Sequence, residues 1–215
     1  MADRWATFDC YGTLVDWNAG IRGQLARLHG DERADALLER YHELEPLVEA
    51  EDPACSYREV LARTLARLGE PVAAGQEDAL AESLPRWPVF PEVPAALRAA
   101  RERGWRLCIL SNTDRDLLDA SLAAIGDPFD RSIVASEIGS YKPGHGHWQA
   151  FEREVGRLPD VHVAASLFHD VAPARVLGIP CVWINRLAER PEPEPARELP
   201  DLTHLPETLD ELAPA

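Results

Sequence analysis

Short apolar runs rich in β-branched or aromatic residues recur along the chain at Trp5 to Phe8, Trp105 to Leu110, Ser132 to Ala135, Val161 to Ala165 and Cys181 to Ile184. Helical patterns separate them. Strands that alternate with helices pair in parallel, because each crossover helix covers a face of the sheet. The expected fold class is therefore α/β. Helix boundaries agree: Pro94 sits near the start and Gly104 just past the end of one helix, Gly126 closes a stripe of Leu117, Leu118, Leu122 and Ile125, and Gly178 ends another.

Between Val15 and Pro91 the texture changes to helix only. Leu37, Tyr41, Leu44 and Val48 make one helical stripe, and Tyr57, Val60, Leu61, Leu65 and Leu68 a second. Ser56 with Glu59 forms a capping box that opens the second helix, and Gly69 closes it. This reads as a helical insert after the first strand, with the proline-rich segment Trp87 to Pro94 as the return linker. The expected division is a core of residues 1–14 and 91–215 and a cap of residues 15–90. The acidic, proline-rich stretch Leu187 to Pro200 reads as a mobile loop irrelevant to chemistry, and the leucines from Leu202 to Leu212 as a short element docked on the core.

Composition narrows the partners. Against 37 Asp and Glu the chain has 22 Lys and Arg, a net charge of -15, which leaves little for a basic face and argues against nucleic acid. No apolar run approaches a membrane span, and Met1 is not followed by a signal-like segment, so the cytoplasm is the expected location. Cys10, Cys55, Cys108 and Cys181 have neither disulfide nor zinc spacing and read as buried thiols.

In an open parallel sheet, ligands bind beyond the carboxyl ends of the strands. The polar candidates fall there in chain order: Asp9, Ser111 with Asn112, Lys142, and the segment Ser166 to Asp170. Gly12 permits a tight turn that lets backbone N–H groups and the Thr13 hydroxyl surround the Asp9 carboxylate. Ser111 and Asn112 precede a helix N-terminus, where an anion is favoured, although the pair could equally cap that helix. Lys142 beside Asp9 would keep the carboxylate ionised.

The string Phe8-Asp9-Cys10-Tyr11-Gly12-Thr13-Leu14, together with Ser111-Asn112, Tyr141-Lys142-Pro143 and Asp170, resembles the motifs of the haloacid dehalogenase (HAD) superfamily. Tyr11 points to its L-2-haloacid dehalogenase-like branch, since the phosphatases carry a second Asp at that position as general acid. The resemblance implies a Rossmann-like HAD core, a parallel sheet flanked by helices, with an inserted helical cap of the C1 type. It implies a hydrolase that displaces halide from a small 2-haloalkanoic acid through an aspartyl ester on Asp9, using no metal and no cofactor.

Under that resemblance Asp9 is the nucleophile. Ser111, Lys142 and Thr13 would hold the small anionic acid, with Tyr11 and Trp148 in the binding wall. Trp148 stands where such dehalogenases have a Tyr. Arg40 and Asn112 would meet the departing halide, though Arg40, between Leu37 and Leu44, could also lay its stem along an apolar stripe. Asp170, with His169, would activate water; His169 could instead be a packed histidine. Ala165 and Leu167 stand where those enzymes place the Ser and Asn that orient the hydrolytic water. The Phe-Asp-Cys-Tyr-Gly-Thr-Leu opening, the Ser166-Leu-Phe-His169-Asp170 segment and the Trp183-Ile-Asn-Arg186 ending are similar to a related group of dehalogenase-like proteins. A magnesium-dependent phosphatase and a catalytically silent binding protein on the same fold are the alternatives. A homodimer is one assembly open to the chain.

Overall fold

The computed structural model describes residues 3–52, 55–126 and 128–214. A six-stranded, wholly parallel sheet has the order β3-β2-β1-β4-β5-β6. Its first strand is β1 (Arg4–Phe8), after which come the helices α1 (Trp17–His29), α2 (Asp31–Glu51), α3 (Tyr57–Arg67) and α4 (Ala79–Ser83). The chain returns through α5 (Val93–Glu102), β2 (Trp105–Ser111), α6 (Arg115–Ile125), β3 (Arg131–Val134), α7 (Ala135–Ile138) and α8 (Gly146–Val155). It then crosses to β4 (Val161–Ala164), α9 (Ala172–Val176), β5 (Cys181–Ile184), β6 (Arg197–Leu199) and α10 (Leu205–Leu212).

The chain builds outward from β1 to β2 and β3, then crosses back to lay β4 on the other side of β1. That reversal opens a crevice at the carboxyl ends of β1 and β4, where doubly wound sheets bind ligands. Asp9 follows β1 directly and stands at the reversal. Ala6 pairs with Leu107 on one side and Val161 on the other, so β1 is covered along both edges.

The helical insert follows the expected stripes. Leu37, Tyr41, Leu44 and Val48 are buried along α2, and Val60, Leu61 and Leu65 along α3. The Ser56–Glu59 capping box is formed in both directions. The Asp114 carboxylate, in the loop before α6, accepts from the Tyr57 and Arg58 N–H groups at 3.1 and 2.9 Å. It thereby satisfies two donors that the first turn of α3 cannot bond internally.

Two expectations need correction at the C-terminal side. The stretch after Leu187 contains a sixth strand, with Arg197, Glu198 and Leu199 paired to Val182, Trp183 and Ile184. Backbone pairing, with a 2.6 Å hydrogen bond from Asn185 Nδ2 to Glu198 Oε1, supports this edge strand, whose side chains are largely exposed, so no apolar alternation announced it. Leu187 and Glu189 also line the cavity above the sheet, so the start of that stretch borders the site. The expected C-terminal element is α10, which buries Leu205 and Leu209. All four thiols are free and buried.

Candidate active site

A cavity of about 640 Å³ lies between the strand ends and the inserted helices, within the range of small-molecule sites. Asp9, Ser111, Asn112, Lys142 and Asp170 form its floor, while Leu38, His42, Glu45 and Glu49 project from α2. Tyr11, Trp17, Tyr57 and Phe90 add an aromatic wall.

Asp9 is fixed by two donors, one on each oxygen. Thr13 Oγ1 donates to Oδ2 at 2.7 Å and Lys142 Nζ to Oδ1 at 2.9 Å. The Ala165 N–H donates in turn to Thr13 Oγ1 at 2.9 Å, tying the β1 loop to the end of β4. Backbone N–H groups were expected around this carboxylate. Those of Gly12 and Leu14 instead bond the carbonyls of Val15 and Cys10, closing the turn that the positive φ of Gly12 permits.

Lys142 is almost wholly buried and donates to Asp9, to Asp170 Oδ1 at 2.7 Å and to the Leu110 carbonyl at 2.9 Å. Burial opposes its charge, but Asp170 and Asp9 outweigh it and hold the ammonium above its usual pKa. Asp170 is equally buried. Burial pushes it upward, yet Lys142 and His162 hold its carboxyl well below the usual range. The Lys142 ammonium thus bridges the Asp9 and Asp170 carboxylates.

Asn112 makes this lysine's position possible. Its Oδ1 accepts from the Lys142 N–H at 2.7 Å and its Nδ2 donates to the Lys142 carbonyl at 2.9 Å. Those two bonds clamp the lysine backbone to the end of β2. Ser111 is buried on the cavity wall, and its Oγ has no hydrogen-bond partner among the described residues. A buried hydroxyl without a partner costs free energy unless a ligand completes it.

Tyr11 contributes a ring to the wall, stacked on Tyr57 with centroids 6.2 Å apart. Its hydroxyl shares a 3.1 Å hydrogen bond with Ser121 Oγ, and burial pushes its pKa well above the usual value. His169 lines the cavity, with Nδ1 3.2 Å from Ser166 Oγ and Nε2 3.7 Å from Glu49.

Two expected residues lie elsewhere. Arg40 is on the solvent face of α2, its side chain 56% exposed and paired with Glu43, and does not line the cavity. The inward stripe of α2 runs through Leu37, Tyr41, Leu44 and Val48, which leaves position 40 facing outward. Trp148 is fully buried beneath the sheet, edge-on to His162 at 5.3 Å and packed in the cluster with Trp5 and Phe151. An inward turn of α8 fills the core with the indole that the resemblance assigned to substrate.

Other residues escaped the sequence reading. His162, on β4, donates from Nε2 to Asp170 Oδ1 at 2.9 Å and shares a 2.8 Å hydrogen bond between Nδ1 and Thr7 Oγ1, supporting Asp170 from behind. In a buried strand it reads as one polar residue in an apolar run. Glu45 and Glu49, unremarked in the sequence, also face the cavity. The hydroxyls of Tyr41 and Tyr57 donate to Glu45 Oε1 at 2.9 and 3.0 Å. Burial lifts Glu45 to about 7 and Glu49, with Glu45 adding repulsion, to about 8. The i, i+4, i+7, i+11 spacing of Leu38, His42, Glu45 and Glu49 is the signal that could have marked this face. Among the described residues, no group of three or more His, Cys, Asp or Glu side chains is arranged to hold a metal ion.

Comparison with known proteins gives a family match over residues 4–178, to the haloacid dehalogenase-like hydrolases. The chain belongs to this family. The (S)-2-haloacid dehalogenase of Pseudomonas sp. strain YL is 30% identical over 198 residues, covering 83% of this chain and 81% of that protein. The crystal structure of the L-2-haloacid dehalogenase RSc1362 superposes with a TM-score of 0.84 at 24% identity, over 98% of this chain and 100% of the other. That of an L-2-haloacid dehalogenase from Xanthobacter autotrophicus with chloropropionic acid covalently bound gives 0.80 at 22% identity, over 99% and 100%. These structural likenesses establish the shared haloacid dehalogenase-like fold, a parallel sheet flanked by helices, and this hydrolase's motif residues fall at its strand ends.

Proposed function

We propose that the protein hydrolyses a small 2-haloalkanoic acid in two steps, with Asp9 as nucleophile. The observation that carries this reading is the Asp9 carboxylate, held on the cavity floor by hydrogen bonds from Lys142 and Thr13. Displacement of halide by a carboxylate needs no proton donor, and Tyr11 supplies none at neutrality because burial keeps its hydroxyl protonated. Covalent catalysis splits a difficult substitution into two easier steps. The relatedness to an (S)-2-haloacid dehalogenase points to the same substrate class.

Asp9 Oδ attacks the α-carbon and halide leaves with the bonding electron pair. Ser111 Oγ and the Lys142 charge receive the substrate carboxylate. Asn112 has two amide hydrogens and gives one to the Lys142 carbonyl, so the other is free for the halide. Tyr57 and Phe90 add aromatic surface to the same cavity. Water then adds to the Asp9 ester carbonyl, with Asp170 and His169 the nearby candidates for activating it. Pre-positioned charge and orientation supply most of the acceleration.

In this reading residues 15–90 act as a cap over a core of 1–14 and 91–215, and cap closure excludes bulk water. Four unpaired, buried thiols fit a reducing compartment, the cytoplasm. A phosphatase has less support, because Tyr11 stands where a proton-donating acid is needed.

The Asp9→Asn variant is expected to release no halide from 2-chloropropionate in an ion-selective assay while keeping the wild-type circular dichroism spectrum. Halide release at the wild-type rate would remove Asp9 from the chemistry.

A further inference from the structure

The second half-reaction needs a base, and the residues that line the cavity differ sharply in their fitness for it. Asp170 is the obvious candidate by position. Its Oδ1 already accepts from Lys142 and His162, and its carboxyl is held far below the usual range, which makes it a weak base. His162 is buried behind Asp170 with both ring nitrogens engaged. His42 lines the cavity, but its ring stacks on Trp17 at 4.9 Å and its Nε2 is bonded to Asn18. Ala165 and Leu167 carry no polar group that could hold a water.

His169 is differently placed. It sits in the wide helical turn Leu167–Val171 that follows β4, and its own N–H donates to Ser166 Oγ at 3.0 Å while Nδ1 lies 3.2 Å from the same oxygen. One hydroxyl therefore fixes both the backbone and the ring. That orientation leaves Nε2 facing Glu49 of α2 at 3.7 Å, across the cavity between sheet and insert. Burial of the ring favours its neutral form, and in the tautomer whose Nδ1–H donates to Ser166 Oγ the lone pair lies on Nε2.

We propose that His169 is the general base of ester cleavage and that Glu49, in its ionised form, positions it and stabilises the imidazolium it becomes. This rests on the dehalogenase reading above. Glu49 is mostly protonated at neutrality and takes up this role as pH rises through about 8. The water oxygen bonds to Cγ of the Asp9 ester as one of its protons passes to His169 Nε2. The tetrahedral intermediate then breaks its bond to the substrate oxygen, which takes the proton back from Nε2 and leaves as the 2-hydroxy acid. Asp9 is regenerated as its acid and loses the remaining proton to solvent, completing the release of one halide and one proton per water consumed. Glu49 comes from the insert and His169 from the core, so the base is complete only when α2 lies over the sheet.

Rapid-quench halide release from 2-chloropropionate, combined with intact-protein mass spectrometry, tests the pair. His169→Gln is expected to give a burst of one halide per enzyme and a stable adduct on Asp9, with turnover reduced on the order of 100-fold. Glu49→Gln should show the same burst and a smaller loss in kcat, on the order of tenfold, with KM little changed and partial rescue in Glu49→Asp. The burst itself certifies that each variant is folded. Wild-type turnover in both variants, or loss of the burst together with turnover, would overturn the assignment of His169 and Glu49 to the water step. A wild-type protein that forms no adduct and releases no halide would overturn the dehalogenase reading itself, and the base with it.

Discussion

At the scale of single residues, the site is a set of charges whose ionisation is decided by burial and by neighbours. Glu45 illustrates the thermodynamic side. Its folded pKa of about 7 lies above the usual 4.5, so the folded protein binds this proton more tightly than the unfolded chain. The resulting stabilisation is complete below pH 4.5 and is lost as pH rises through about 7. At roughly 1.4 kcal/mol per pH unit, it amounts to at most about 3.5 kcal/mol. Urea denaturation is expected to show the wild type losing stability between pH 5 and 8 more steeply than Glu45→Gln, which keeps an acceptor for Tyr41 and Tyr57 without the charge. Parallel curves for the two proteins would contradict this. The residues that sequence made legible were those bound to strand ends, where topology dictates direction: Asp9, Ser111, Lys142 and Asp170. Arg40 and Trp148 were misplaced because their direction depends on the rotation of a helix about its axis, which a single sequence leaves to packing.

At the scale of elements, the joint between insert and sheet is made by specific caps rather than by a broad apolar face alone. Asp114 closes the loop after β2 and at the same time accepts from the first turn of α3. A carboxylate on helix-terminal N–H groups also interacts favourably with the helix dipole. Asp114→Ala is expected to cost about 1–2 kcal/mol, the scale of a lost cap. Hydrogen exchange should show the loss concentrated at Tyr57 and Arg58, and uniform protection across α3 would count against the role of this tether. The stripes of α2, α3 and α6 and the first five strands were readable because each carries a periodic apolar face or a short apolar run. β6 was not, since an exposed edge strand is held by backbone bonds to β5 and asks little of its side chains. The acidic lining from α2 was hidden for a related reason: Glu45 and Glu49 follow an ordinary helical spacing, and only the sheet beneath them turns that face inward.

At the scale of the whole molecule, a net charge of -15 surrounds a site proposed to receive an anion. The long-range field therefore opposes substrate approach, and salt screens it over about 10 Å at 0.1 M. kcat/KM for 2-chloropropionate is expected to rise as sodium sulfate brings the ionic strength to about 0.1 M, and a steady fall would show that local cations dominate the encounter. Within the site the arithmetic is different. Asp9 and Asp170 contribute two negative charges and Lys142 one positive, a balance that alkylation of Asp9 would alter by neutralising one carboxylate. The lysine would then have a single anionic companion, and its full attraction could turn toward the oxygen on which charge builds as the ester opens. Each half of the catalytic cycle would thus meet a different electrostatic floor, with no atom of the floor having to move.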